Sequence, residues 1–411
     1  MQQPSVSPRE LKRFSPLRNL PSRVLSYVAS QAQRRLLTAE TRLQLPPEPD
    51  GMACFLLRGE LASDPEQGNS PVSAGSLASR QPLVTAGGLR ASGDVELLLL
   101  PRDLYSAITQ LPTAKQRGDR PQFELQEPDA LEDRIYWQLH EQIEAGRLQL
   151  PSLPDIALRI AKTVNNPTTD SADIARVIQA DPGVAARLIS VVNSAAYRGR
   201  APIDNLQDAV TRLGHDVTHN LVISFALGSL FRSRSPLLQR KMAALWSHAC
   251  HVAPICHELA RVTPGLDPDK ALLCGLVHDI GALPVINAAR SHPAIGTDPE
   301  LLERLLRRLK GELGGLVLRK WQFGEDFVQA ALHAEDWMQD IDDRPDYVDL
   351  LLVAQLHAAI GRPEMAQLPR IDLLPAFHKL ALGRLTPRHS IGILENSRAQ
   401  IEALRGLLLA D

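Results

Sequence analysis

The stretch "DPGVAARLISVVNSAAY", residues 181–197, decides the fold class of most of this chain. Asp181 reads as a helix cap, and Pro182 suits the first helical position, where the amide would lack a partner anyway. Val184, Leu188, Val191, Val192 and Ala195 then fall on one face at helical spacing. The same period continues on both sides. Ile156, Ile160 and Val164 repeat every four residues after Pro151 and Pro154, and Leu206, Val210, Leu213, Val217 and Leu221 follow. No internal repeat or sustained heptad emerges. From residue 131 to 411 the sequence predicts an all-α bundle of roughly ten or more helices.

Upstream the character changes. Short apolar runs, "CFLLRGEL" (54–61) and "DVELLLLP" (94–101), are separated by Pro, Gly and Ser clusters such as "LPPEPDG" and "DPEQGNSPVSAGS". Short strands punctuated in this way predict a small β-sandwich or barrel. Helical patterns flank it, in "SRVLSYVASQAQRRLL" and "PRDLYSAITQL". The polar, aperiodic run over 113–130 reads as a linker. A chain of 411 residues accommodates such a multi-domain division.

A formal net charge of −2 gives no general electrostatic case for nucleic acid or an acidic membrane surface. The basic cluster "RLLRRLK" (304–310) reads as the solvated rim of a helix rather than a phosphate-binding face. No signal-peptide pattern opens the chain, and no apolar run reaches the roughly 20 residues needed to span a bilayer. Cys54, Cys250, Cys256 and Cys274 show no paired spacing and read as small buried hydrophobes. A reduced, cytoplasmic setting is expected.

The run "CGLVHDIGALPV" (274–285) sets His278 beside Asp279 inside apolar sequence. Burying polar groups without partners costs roughly 1–3 kcal/mol each, so the pair needs a reason. One reason is a metal. His248 in "LWSHACHVAPICHELA" supplies a third nitrogen or oxygen ligand on another helix, and three ligands with an open position is the minimum for catalytic use. The other is structural, with both residues bonding helix ends in the bundle core. His333 reads as a core histidine, and His251 as surface, although it could extend a ligand set. His257 follows in the same helix. Asp216, after Gly214, reads as a first-turn acid of a helix and not as part of a second centre. Dinucleotide, Walker, nucleophile-elbow and zinc-finger patterns are missing from the sequence.

Several ordered motifs now carry a resemblance. "LPSLP", "QADPGVAARLISVVNSAAY", the "I…L.DAV.RLG" turn, "LWSHACHVA", "CGLVHDIGALPV" and "LLVAQLHAAIG" together resemble an HDOD domain, the HD-related output domain of bacterial signalling proteins, over residues 147–362. The resemblance implies a noncatalytic helical module that relays signals by protein contact. Catalytic relatives in the wider HD superfamily carry a final Asp, at the position filled here by Gln355, and often a lysine where Ala282 stands. A neutral amide offsets a divalent charge poorly. The downstream GYP-type signature is missing from the sequence. His248, His278 and Asp279 therefore read as a vestigial, incomplete metal set.

Residues 10–112 resemble a degenerate cyclic-nucleotide-binding-like domain, a β-roll (jelly roll) flanked by helices. The likeness rests on Phe14, Pro16, Leu17, Leu20 and on Phe55, Leu56, Leu57, Gly59, Glu60. The stretch corresponding to that family's phosphate cassette is shortened and lacks its acidic residue, leaving Arg80 or Arg90 as phosphate contacts. Taken together, the sequence reads as a cytoplasmic bacterial signal-transduction protein without catalytic residues or a required cofactor. Its partners would be signalling proteins rather than nucleic acid or a membrane. The alternatives are a metal-dependent HD-type phosphohydrolase using His248, His278 and Asp279, and a cyclic-nucleotide-responsive sensor.

Overall fold

The computed structural model describes residues 6–43, 51–63, 71–83, 89–111, 131–164, 166–290, 292–380, 392 and 394–409. The linker expected over 113–130 lies outside them. The chain divides into two compact units, Met1–Gln122 with Gln367–His378, and Phe123–Ala366 with Lys379–Asp411. The sequence places 131–411 in one helical domain. Residues 367–378 instead belong to the N-terminal unit.

That unit holds two antiparallel sheets. One has the order β1-β7-β3, from Gln33–Leu37, Val95–Pro101 and Met52–Arg58. The other runs β2-β6-β4-β5, from Arg42–Leu43, Leu89–Ala91, Glu60–Ser63 and Val72–Ser73. Strands β3 and β7 are nearly continuous apolar runs because both of their faces are covered. Gly59 turns the chain between β3 and β4 at φ +89°, and a Cβ there would lie 2.6 Å from the Asp94 carbonyl oxygen. Only glycine fits. Phe14, Phe55 and Tyr105 pack edge and tilt against one another, and Arg34 joins Glu10 to Glu96. The 367–378 segment is tied to helix α2 (Ser22–Gln31), because Tyr27 donates its hydroxyl to Asp372 at 2.6 Å.

The helical unit bears out the pattern that opens the sequence reading. Asp181 accepts from the Val184 amide at 3.1 Å, Pro182 starts helix α7 (Pro182–Val192), and Val184, Leu188, Val191 and Val192 are buried. Ala195 departs from the expectation. The helix stops at Val192 because Asn193 turns its amide to the chain at Ile203, accepting from its N–H and donating to its carbonyl. The rest of the "NSAAY" run is a turn, from which Tyr197 donates its hydroxyl to Asp269. Gly214, at φ +81°, likewise divides the next stripe into α8 (Leu206–Leu213) and α9 (His215–Leu227), with Asp216 in the first turn of α9 as expected.

Four elements position the polar cluster. They are α10 (Pro236–Arg261), α11 (Pro268–Val277), α13 (Pro299–Lys320) and α15 (Tyr347–Ala358), with α12 (Ala282–Asn287) and α14 (Glu325–Leu332) between them. Asp267 caps α11 through the Lys270 amide at 2.7 Å, with Pro268 at its first position. Gly275 lets α11 lie against α10, since a Cβ there would sit 2.6 Å from the Ala253 Cα. No described helix is long and apolar enough to cross a membrane. All four cysteines are buried and unpaired, and burial pushes the Cys54 and Cys250 thiols up to about 12.

Candidate metal centre

The helix α11 ends at Val277, so His278 is its C-cap residue and Asp279 stands in the turn before α12. Their adjacency is therefore that of a turn rather than of two helical neighbours pointing about 100° apart. The close α10–α11 packing at Gly275 brings His248 to this turn, with the His248 and His278 rings 5.3 Å apart. Ligand-type atoms of His248, His278 and Asp279 all fall within 4.8 Å of one another. The three residues proposed from sequence thus meet in one place.

His278 donates Nδ1–H to the Gly275 carbonyl at 2.8 Å, because a carbonyl can only accept. Its Nε2 is buried without a hydrogen-bond partner and lies 3.4 Å from Asp279 Oδ2. Burial, with His278 beside it, holds the His248 imidazole down at about 4, so that ring is neutral near pH 7. His278 has no exposed surface and Asp279 only 4%.

Lys310 completes the cluster. Its ammonium reaches across from α13 to Asp279 Oδ1 at 2.6 Å and to Glu335 at 2.8 Å. Burial alone would push the Asp279 carboxyl up, but His278 and Lys310 reverse this and hold it well below the usual carboxylate range. Burial likewise opposes the Lys310 charge, and the carboxylates of Asp279 and Glu335 outweigh it, raising that lysine. This corrects the reading of 304–310 as a solvated rim. Arg304 and Arg308 do pair at the edge, with Glu132 and Asp133, but the Lys310 side chain is largely covered, 14% exposed. The signal was present in the spacing, since Lys310 follows buried Leu302 and Leu306 at i+8 and i+4 on the apolar stripe.

The donor set suits a resident divalent ion poorly. Its single carboxylate already faces a unit positive charge. A divalent ion about 4 Å from that ammonium would be repelled by about 8 kcal/mol at an effective dielectric of ~20. The unpartnered Nε2 of His278 and the convergence of three ligand-type residues favour a metal.

Gln355, at the final ligand position, donates its side-chain amide to the Ala334 carbonyl at 2.7 Å, joining α15 to the chain just past α14. His333 is the C-cap of α14, partly exposed and 3.8 Å from Asp336, not a core residue. His251 is half-buried, its Nδ1 2.9 Å from the Ser247 carbonyl oxygen. His257 is buried between Glu258 at 3.1 Å and Asp269 at 3.9 Å. In the N-terminal unit Arg90 forms an exposed ion pair with Glu40. Arg80 lines a cavity of about 290 Å³ with Lys12, Arg13, Arg18 and Ser79.

The helical unit has relatives among known proteins. The HDOD domain family model matches residues 150–337. Those residues form an HDOD domain. A Shewanella amazonensis structure described as "Putative metal-dependent phosphohydrolase" superposes with a TM-score of 0.59 at 28% identity, covering 67% of this chain and 99% of that one. An HDOD domain protein of unknown function from Geobacter sulfurreducens gives a TM-score of 0.49 at 22% identity, over 67% and 99% of the two chains. An uncharacterized Treponema pallidum protein is 26% identical over 198 residues, which are 44% of this chain. The chain spans about a third of that relative, 36% of its length.

One histidine of the HDOD unit was not singled out from sequence. His357 on α15 is buried with neither ring nitrogen hydrogen-bonded, and burial holds it down at about 4. Unfolded, it titrates near 6.5. Because the folded value is the lower one, its neutral form supports folding above pH ~6.5, and that support fades as pH falls toward 4. The loss should be about 2–3 kcal/mol. Urea midpoints measured at pH 7, 5.5 and 4 should show it, and His357→Leu should flatten the profile. An unchanged slope in that variant would remove His357 as the cause.

Proposed function

We propose that the HDOD domain of this chain is a noncatalytic signalling module that relays its state by protein contact. The observation that carries this reading is the enclosure of Asp279. It is the only carboxylate of the His248–His278–Asp279 cluster, and Lys310 already neutralises it. Metal-assisted hydrolysis needs an ion with an open position where water is activated and substrate arrives. Buried His278 and Asp279 offer no such approach, and the neutral Gln355 amide would add no charge to offset an ion. As a relay, the module would act through two packings of its helices that a partner distinguishes.

The competing reading is a metal-dependent phosphohydrolase, favoured by the convergence of three ligand-type residues and by the name of the Shewanella relative. Bis(p-nitrophenyl) phosphate and p-nitrophenyl phosphate, assayed with Mn²⁺, Co²⁺ and Mg²⁺, separate the two. The wild-type chain should turn over no faster than His278→Ala. A metal-dependent rate lost in that variant would establish the hydrolase instead.

A further inference from the structure

We infer that Lys310 takes the place of the metal in this HDOD pocket, so that His248, His278 and Asp279 form a latent divalent-cation site that opens only when the ammonium is removed. The inference builds on the noncatalytic reading but concerns a different property, the identity of the cation. Three observations support it. The ammonium contacts the one carboxylate that a metal would need, at 2.6 Å. It is also held from the other side by Glu335 at 2.8 Å, which fixes it in the cluster. Finally, the backbone sets its position. A Cβ on Gly281 would lie 1.9 Å from the Lys310 carbonyl oxygen, so the start of α12 and this turn of α13 are in direct contact beside Asp279.

The unused donor is equally specific. His278 Nε2 lies buried and has no hydrogen-bond partner. With the ammonium gone, that nitrogen and the freed Asp279 carboxylate would face the same space, with His248 adjoining. Imidazole with carboxylate suits a borderline ion such as Co²⁺ or Zn²⁺. The sequence lacks a lysine at position 282, directly after "HDIG", and Lys310 brings one to the pair from another helix.

Cobalt binding tests this directly, with equilibrium dialysis for stoichiometry and visible absorption for ligation. Full-length wild type, Lys310→Met, Lys310→Arg and the double variant Lys310→Met/His278→Ala would be compared. Lys310→Met should bind one Co²⁺ per chain at least about tenfold more tightly than wild type. Lys310→Arg, which keeps the charge, should resemble wild type, and the double variant should lose the gain. Wild type binding one Co²⁺ as tightly as Lys310→Met overturns the inference, as does a folded Lys310→Met that gains nothing. Should that variant fail to fold, Lys310→Gln replaces it, and wild-type uptake lost in His278→Ala is decisive against the inference by itself. Cobalt bound by wild type without phosphoester turnover removes the lysine substitution and leaves the relay standing. Turnover removes the relay whatever the cobalt stoichiometry.

Discussion

Gly281→Ala should abolish cooperative folding of the HDOD unit. A Cβ at this position meets the Lys310 carbonyl oxygen at 1.9 Å, the Gly314 nitrogen at 2.3 Å and the Gly314 Cα at 2.9 Å. All three are backbone atoms, so no rotamer change relieves the overlap, and α13 must move away from the start of α12. Overpacking that side chains can absorb costs about 1–3 kcal/mol. A collision between backbones exceeds that range and approaches the whole stability of a domain, about 5–15 kcal/mol. Gly296→Ala is the control, because its nearest neighbour is the Ala289 Cβ at 3.8 Å, and it should change stability by less than about 0.5 kcal/mol. Urea unfolding followed by far-ultraviolet circular dichroism measures both. Equal midpoints for the two variants would contradict this account of the glycine in "HDIG". If the prediction holds, that glycine is required because it allows the helix contact that delivers Lys310 to Asp279.

What could be read in advance follows from how local each signal is. Asp181, Pro182 and the Val184–Leu188–Val191 face are local, and the helix they predict is present. Ala195 was misplaced because the helix is ended by a contact with Ile203, ten residues from Asn193, which periodicity does not register. The placement of residues 367–378 with the N-terminal unit depends on a pairing as distant as Tyr27 with Asp372. Nothing in the local pattern indicates it. At the cluster, His248, His278 and Asp279 were found because imidazole and carboxylate in apolar sequence are conspicuous. Lys310 was hidden among Arg304, Arg307 and Arg308, residues of the same charge, although its position on the Leu302–Leu306 stripe set it apart. Residue type outweighed helical phase in that reading, and phase was the better guide.

Asp279→Asn should destabilise the HDOD unit by about 1–3 kcal/mol, because it leaves the largely covered Lys310 ammonium facing a neutral amide. Glu335 still reaches that ammonium, which places the loss toward the lower end of the cost of breaking a buried pair. Adding Lys310→Met to Asp279→Asn should recover most of it. An apolar side chain of similar length has no charge to desolvate, and replacing both members of a buried pair is often neutral. The pH dependence separates this effect from that of His357. The Asp279 carboxyl is held below its unfolded value, so its contribution is complete above the ordinary carboxylate range, near pH 4, and fades only as pH falls through the lower folded value. The cost of Asp279→Asn should therefore be constant between pH 5 and 8, where the His357 contribution already changes. Urea midpoints of the single and double variants across that range measure both the size and the constancy of the loss. A double variant no more stable than Asp279→Asn would mean that the amide itself, and not the stranded ammonium, is what the fold rejects. Recovery would show that Asp279 and Lys310 act as one neutral unit.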